Sequence, residues 1–98
     1  MNFEIAPEEY EIKTNWEDAK MYCFSLTIDG KTGWRLPSVE ELKQIYFTPY
    51  NGFVKSSYWT SSVCKYSKKI FVMNLLTGKP YHDYNTHYVR PVRDLKDD

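Results

Sequence analysis

The sequence predicts an α+β domain, with helices in its first half and a sheet in its second. Apolar residues recur at three- and four-residue steps over residues 16–26 and again over 39–46, the spacing of one helix face. From Tyr58 onward that period gives way to short extended runs separated by turn residues, the pattern of strands. The chain has 98 residues, 42% of them hydrophobic and 27% charged, which suits one compact domain and excludes a disordered chain. No repeat, low-complexity tract or Ser/Gly linker divides it. Residues 1–98 therefore read as one unit, with Asp94 to Asp98 as a frayed charged tail.

Taken in order, Phe3 and Ile5 alternate with Asn2 and Glu4, Pro7 breaks the run, and Tyr10 and Ile12 resume it as a second short extended piece. Thr14 with Glu17, or Asn15 with Asp18, has the spacing at which a side-chain oxygen satisfies an orphan helix N–H. Trp16, Ala19, Tyr22, Cys23 and Leu26 then share one face of a first helix, with Glu17, Asp18 and Lys20 on the other. Asp29-Gly30 and Thr32-Gly33 are turn pairs leading into Trp34-Arg35-Leu36-Pro37. There Trp34 and Leu36 alternate into the core and Arg35 needs a carboxylate or carbonyls to anchor it. Pro37 fits the last non-helical or first helical position, where its missing N–H costs nothing. Ser38 with Glu41 is a second capping box, and Val39, Leu42, Ile45 and Tyr46 form the buried stripe of a second helix over 38–47. Pro49 and Asn51-Gly52 stop it and open a loop carrying Tyr50 and Phe53. Strands follow over Tyr58 to Val63, Lys69 to Leu75 and His87 to Val92, with a tight turn around Thr77 to Pro80. Both parities of Ile70 to Leu75 are mostly apolar, so that strand is covered on both faces. Trp59 reads as a buried strand aromatic, with the Ser61 and Ser62 hydroxyls bonding neighbouring backbone. Trp16, Ala19, Tyr22, Leu36, Leu42, Ile45, Trp59, Phe71 and Met73 are expected to be buried together.

Thirteen Lys and Arg balance thirteen Asp and Glu, which argues against a nucleic-acid binder. The longest apolar runs fall far short of the roughly 18 residues of a membrane span, and the opening residues have no signal-like basic flank and apolar stretch. No membrane insertion is expected, and the expected location is cytoplasmic, with an extracellular one the alternative for a chain trimmed of a leader. Cys23 and Cys64 are then free thiols in a reducing compartment. Aromatic residues make up 17% of the chain, nine of them tyrosines, more than a core of this size can seal with every hydroxyl paired. Several tyrosines must reach the surface, where they supply stiff amphipathic contact area.

Four blocks, Asn15 to Cys23, Gly33 to Leu42, Tyr58-Trp59-Thr60-Ser61-Ser62 and Tyr88 to Arg93, resemble in order and spacing the signatures of the Lcl C-terminal domain family, named for a collagen-like bacterial adhesin. That family is in turn similar to the C-type lectin-like fold and its formylglycine-generating relatives. The resemblance implies two helices packed on a small twisted antiparallel sheet with the N- and C-terminal strands side by side. It also implies structural roles for Trp16, Trp34, Arg35, Leu36, Pro37, Trp59, Ser61, Arg90 and Arg93. Many members carry a cysteine between the last two arginines, within reach of the first-helix cysteine. Here Pro91 stands in that place, so Cys23 has lost its expected partner. The closely spaced cysteine pair of the formylglycine-generating relatives is absent too, so their chemistry does not carry over.

No nucleophile with a tuning partner stands out. Lysines flank Cys64 at 65, 68 and 69 and can lower its pKa, but a small buried thiol is the commoner fate. His82, Asp83 and His87 read as a polar turn rather than metal ligands, and the calcium-binding Glu-Pro-Asn run of lectins is missing. No catalytic residue, metal or cofactor is expected. The expectation is a non-catalytic module that binds a protein through aromatic-rich loops at Tyr66, Lys68, Tyr81, His82, Tyr84 and His87. Its alternatives are a surface for sulfated or acidic glycan, or a small intracellular regulator or inhibitor of another protein, phage-related ones included.

Overall fold

The computed structural model describes residues 2–49 and 52–95. The chain runs β1 (Phe3–Ile5), a 3-10 turn (Glu8–Tyr10), β2 (Ile12–Thr14), α1 (Trp16–Ser25), β3 (Trp34–Arg35), α2 (Val39–Tyr46), β4 (Ser57–Val63), β5 (Ile70–Asn74), β6 (Lys79–His82), β7 (His87–Val89) and β8 (Val92–Asp94). The class is α+β with two helices. The expected loop residue Tyr50 lies outside the described residues, as does the tail beyond Leu95.

The single antiparallel sheet expected from the sequence is two sheets, of order β1-β8-β3 and β2-β7-β4-β5-β6. Two prolines explain the division. The N-terminal pair β1 and β2 runs antiparallel to the C-terminal pair β8 and β7, with Ile5 opposite Val92 and Ile12 opposite Val89. Each chain segment changes sheet at a proline, Pro7 in one and Pro91 in the other. A residue without an N–H cannot continue a central ladder, so the predicted strand from His87 to Val92 breaks into β7 and β8. The Ala6 N–H, donating to the Pro91 carbonyl at 2.9 Å, spans the break. Within the larger sheet, β4 and β7 are parallel at Tyr58 and Tyr88. Asp94, expected in a frayed tail, is instead the last residue of β8, paired with Phe3.

The larger sheet is covered on both faces, as the apolar parities of β5 require. Tyr58 and Met73 pack with Leu42 and Ile45 of α2, while Trp59, Val72 and Val89 pack with Ala19 and Cys23 of α1. A third cluster joins Ala6, Ile28 and Trp34. Eight of the nine expected core residues are thus divided between the two faces rather than buried together, and Phe71 joins neither cluster. Trp16, Tyr22 and Phe71 are only half-buried, because each lies at the margin of a face.

The residues read as structural are each engaged within the fold or at its junctions. Arg35 donates to both Glu41 oxygens at 2.7 and 2.8 Å and to Asp94 at 2.5 Å, tying β3, α2 and β8 together. Glu41 also accepts from the Ser38 N–H while the Ser38 hydroxyl accepts from the Glu41 N–H, completing the capping box. Pro37 sits one residue outside the expected positions, before the Ser38 cap, and its carbonyl accepts the Ser61 N–H at 2.8 Å. That bond is the contribution of Ser61: its side chain faces outward, and the hydroxyls that hold backbone are those of Thr60, donating to Phe71, and Ser62, accepting from Val39. The irregular register of β4 against β5 between Trp59 and Val63 explains the correction, since it breaks the simple alternation of side chains. Arg93 pairs with Glu4 and donates to the Thr32 carbonyl. Arg90 is buried and donates to Glu11 and to the Ala6 and Gly52 carbonyls, its guanidinium 4.4 Å from the Phe53 ring centre. Tyr58 completes this knot by donating to Glu11 at 2.5 Å.

Candidate functional site

Asn15 caps α1 by accepting the Asp18 N–H at 2.9 Å, which places Trp16 at the first helical position, over the middle of β4. There its indole Nε1 donates to the Thr60 carbonyl at 3.1 Å, and the Lys20 ammonium stands 3.6 Å above the ring, a cation–π contact. Two clefts share this residue as a wall. One, of about 250 Å³, is lined by Trp16, Lys20, Phe24, Trp34, Arg35, Leu36 and Ser61. The other, of about 180 Å³, is lined by Asn15, Trp16, Glu17, Trp59, Ile70 and Tyr84.

All three tryptophans of the chain line these clefts. Their indole N–H groups are taken: Trp34 donates to the Lys31 carbonyl at 3.0 Å and Trp59 to Thr14 at 2.7 Å. What the clefts offer a ligand is therefore apolar ring and aliphatic surface, with polar groups at the rim. Phe24, 89% exposed, forms an outer wall. It lies off the buried stripe of α1, and an apolar residue that the core pattern does not claim was the available signal for it.

The six residues predicted to bind are not gathered in one place. Tyr84 is 66% exposed and joins the second cleft. Tyr66 and Lys68 are exposed at the hairpin between β4 and β5, with the Lys65 ammonium 5.9 Å from the Tyr66 ring centre. Tyr81 and His82 belong to β6, an edge strand, and not to one of the aromatic-rich loops expected to bind. The turn that precedes them covers residues 75–78, two residues earlier than expected, and ends at Gly78 with φ +74°. There the Tyr46 ring fills the place of a side chain: a Cβ would lie 2.6 Å from it. Tyr81 donates to the buried Ser57 hydroxyl at 2.7 Å. The His82 ring lies 4.2 Å from that of Phe71. His87 opens β7, half-buried, with Nε2 2.7 Å from the Asp83 carboxylate and its ring 4.8 Å from Trp59. Tyr81, His82 and His87 are thus engaged by neighbours within the fold.

The thiols differ sharply. Cys23 is buried, and burial pushes its pKa up to about 12. Cys64, expected to be buried, is only half-buried. The Ser67 hydroxyl, the Ser67 and Tyr66 N–H groups and Lys69 bring its pKa down to about 7. Both are free. Among the described residues no three His, Cys, Asp or Glu side chains converge as a metal site, and no helix is long and apolar enough to cross a membrane.

The sequence model of a family described as the Lcl C-terminal domain matches residues 6–93. No curated protein matches the chain by sequence.

Proposed function

The chain belongs to the Lcl C-terminal domain family, and from that membership together with the clefts beside Trp16 we propose that it is a non-catalytic recognition module for a protein partner. The observation that carries the reading is the shared Trp16 wall. Two adjacent apolar clefts, together roomy enough for two side chains of a partner, are held rigid by indole hydrogen bonds to the backbone. Buried aromatic anchors in such pockets dominate protein interfaces, and the exposed Phe24 and Tyr84 provide the surrounding contact. The fold reading that accompanies this proposal is C-type lectin-like. It is supported by the paired terminal strands and by the two helices on opposite faces of one sheet.

The test applies the immobilised domain in parallel to native lysate and to a glycan array, alongside Phe24→Ser and Tyr84→Ala. The reading expects a specific protein to be retained and both substitutions to reduce its retention about tenfold or more, the scale of interface hot spots. Glycan binding without a retained protein, or retention indifferent to both substitutions, would overturn it.

A further inference from the structure

The net charge of zero conceals a separation of charge along the chain. Residues 42–82 hold six lysines, at 43, 55, 65, 68, 69 and 79, and no Asp or Glu, leaving all thirteen acidic residues to the remainder against its seven cationic ones. In the fold this acid-free stretch is the last turn of α2 and the strands β4, β5 and β6, which form one side of the larger sheet up to its edge. All six lysines are exposed, and among the described residues none has a carboxylate partner. The arginines, by contrast, are all consumed internally, by Glu41 and Asp94, by Glu11 and by Glu4. The uncompensated charge is therefore lysine alone: mobile point charges without the fork that fixes a single phosphate or sulfate.

The lysines fall into two groups. Lys65, Lys68 and Lys69 are in the hairpin at one end of β5, whereas Lys79 follows the turn at its other end. The five residues of β5 separate these ends by about 17 Å at the usual rise of a strand. Lys43, on the last turn of α2, and Lys55, beside Tyr46 and Leu75, complete the second group. Exposed aliphatic and aromatic side chains lie among them: Phe47, Val63, Tyr66 and Leu76. A polysaccharide or nucleic-acid backbone carries its charge among hydroxyls or phosphates and has no branched aliphatic side chains to pack on Val63 and Leu76, whereas a polypeptide bearing both carboxylates and apolar side chains matches charge and hydrophobicity at once.

We infer that the lysine-bearing side of the sheet docks an acidic polypeptide segment carrying apolar side chains, extended along the exposed β6 edge so that its carboxylates meet both lysine groups. This goes beyond the recognition reading above by naming a second surface and the chemistry of its partner, and it rests on that reading for the class of ligand.

The probe is a random copolymer of glutamate and tyrosine, compared with oligothymidylate of matched charge and with vesicles of phosphatidylserine and phosphatidylcholine. Binding to the intact chain is measured at 50 and 300 mM salt. The copolymer is expected to bind at least about tenfold more tightly than oligothymidylate, weakening with salt as screening shortens the field. The triple variants Lys65→Gln/Lys68→Gln/Lys69→Gln and Lys43→Gln/Lys55→Gln/Lys79→Gln should each lower its affinity by about tenfold with unchanged melting temperature, since none of these lysines has an internal ion-pair partner. Equal or tighter binding of oligothymidylate or of the vesicles, no binding of the copolymer, or copolymer binding indifferent to both triple variants would overturn the inference. Phe24→Ser and Tyr84→Ala separate the two claims. If these alone weaken retention of the lysate protein, the clefts recognise a partner and the lysine surface does not.

Discussion

Trp59 has no exposed surface and donates its indole N–H to Thr14, so Trp59→Ala opens a cavity and leaves the Thr14 carbonyl without this donor. The expected cost is about 3–5 kcal/mol, read as a fall in the chemical-denaturation midpoint. The two loop-region tyrosines should divide. Tyr84→Ala, at a residue 66% exposed, should leave stability within about 0.5 kcal/mol. Tyr81→Ala takes the hydroxyl partner from buried Ser57 and should cost about 1–3 kcal/mol. Equal melting temperatures for the two variants would refute that division. The sequence could not separate them, because a tyrosine followed by a histidine on an edge strand has the composition of a loop, and its acceptor at Ser57 is 24 residues distant. The thiols offer a third measurement. Cys64, with its pKa lowered to about 7, should alkylate with a rate that rises through neutral pH, while Cys23 resists until the chain unfolds. Between that lowered pKa and the ordinary one the unfolded chain binds more protons at Cys64 than the folded chain, so this group adds stability as pH rises across the window.

Among the elements, α2 is the most legible, because its start is written in four consecutive residues. Ser38 and Glu41 cap each other and Val39 begins the buried stripe, so local chemistry and tertiary packing agree. Ser38→Ala should cost about 1 kcal/mol, or a fall of about 4–8 °C in melting temperature for a domain of this size. The Arg35 junction attached to it contributes to the acid limb of stability. Hydrogen bonds from Arg35 hold the Glu41 and Asp94 carboxyls below their usual range. Over that range the unfolded chain binds protons first, so stability falls as pH drops below the ordinary carboxylate values and through these lowered ones. Arg35→Gln should flatten the limb in a series of melts from pH 7 to pH 2, and an unchanged profile would rule the junction out as its source. The division into two sheets was less legible. Pro91 was visible, but that it would send β8 to another sheet depended on Pro7 facing it 84 residues away in the sequence.

Across the whole molecule, the α1 and α2 faces share β4, where adjacent Tyr58 and Trp59 point into different clusters. That backbone link predicts one cooperative transition. Leu42→Ala, on the α2 face, should destabilise by about 3–5 kcal/mol. It should also move the midpoint seen by tryptophan fluorescence, whose reporters belong to α1, β3 and β4, as far as the midpoint seen by circular dichroism. Separate midpoints would mean that the faces unfold independently. Charge was the least legible property at this scale, because a net sum discards position: thirteen against thirteen describes the composition, while the fold places an acid-free stretch along one side. The pairing of the terminal strands carries a mechanical consequence. Phe3 lies opposite Asp94 at the outer end of the β1–β8 ladder, so tension applied through these residues loads the hydrogen bonds one after another instead of all together. A domain held by its two ends would therefore peel open like a zipper, losing β1 from β8 first and yielding at low force, whereas pulling along β4 against β5 would have to shear their whole ladder at once.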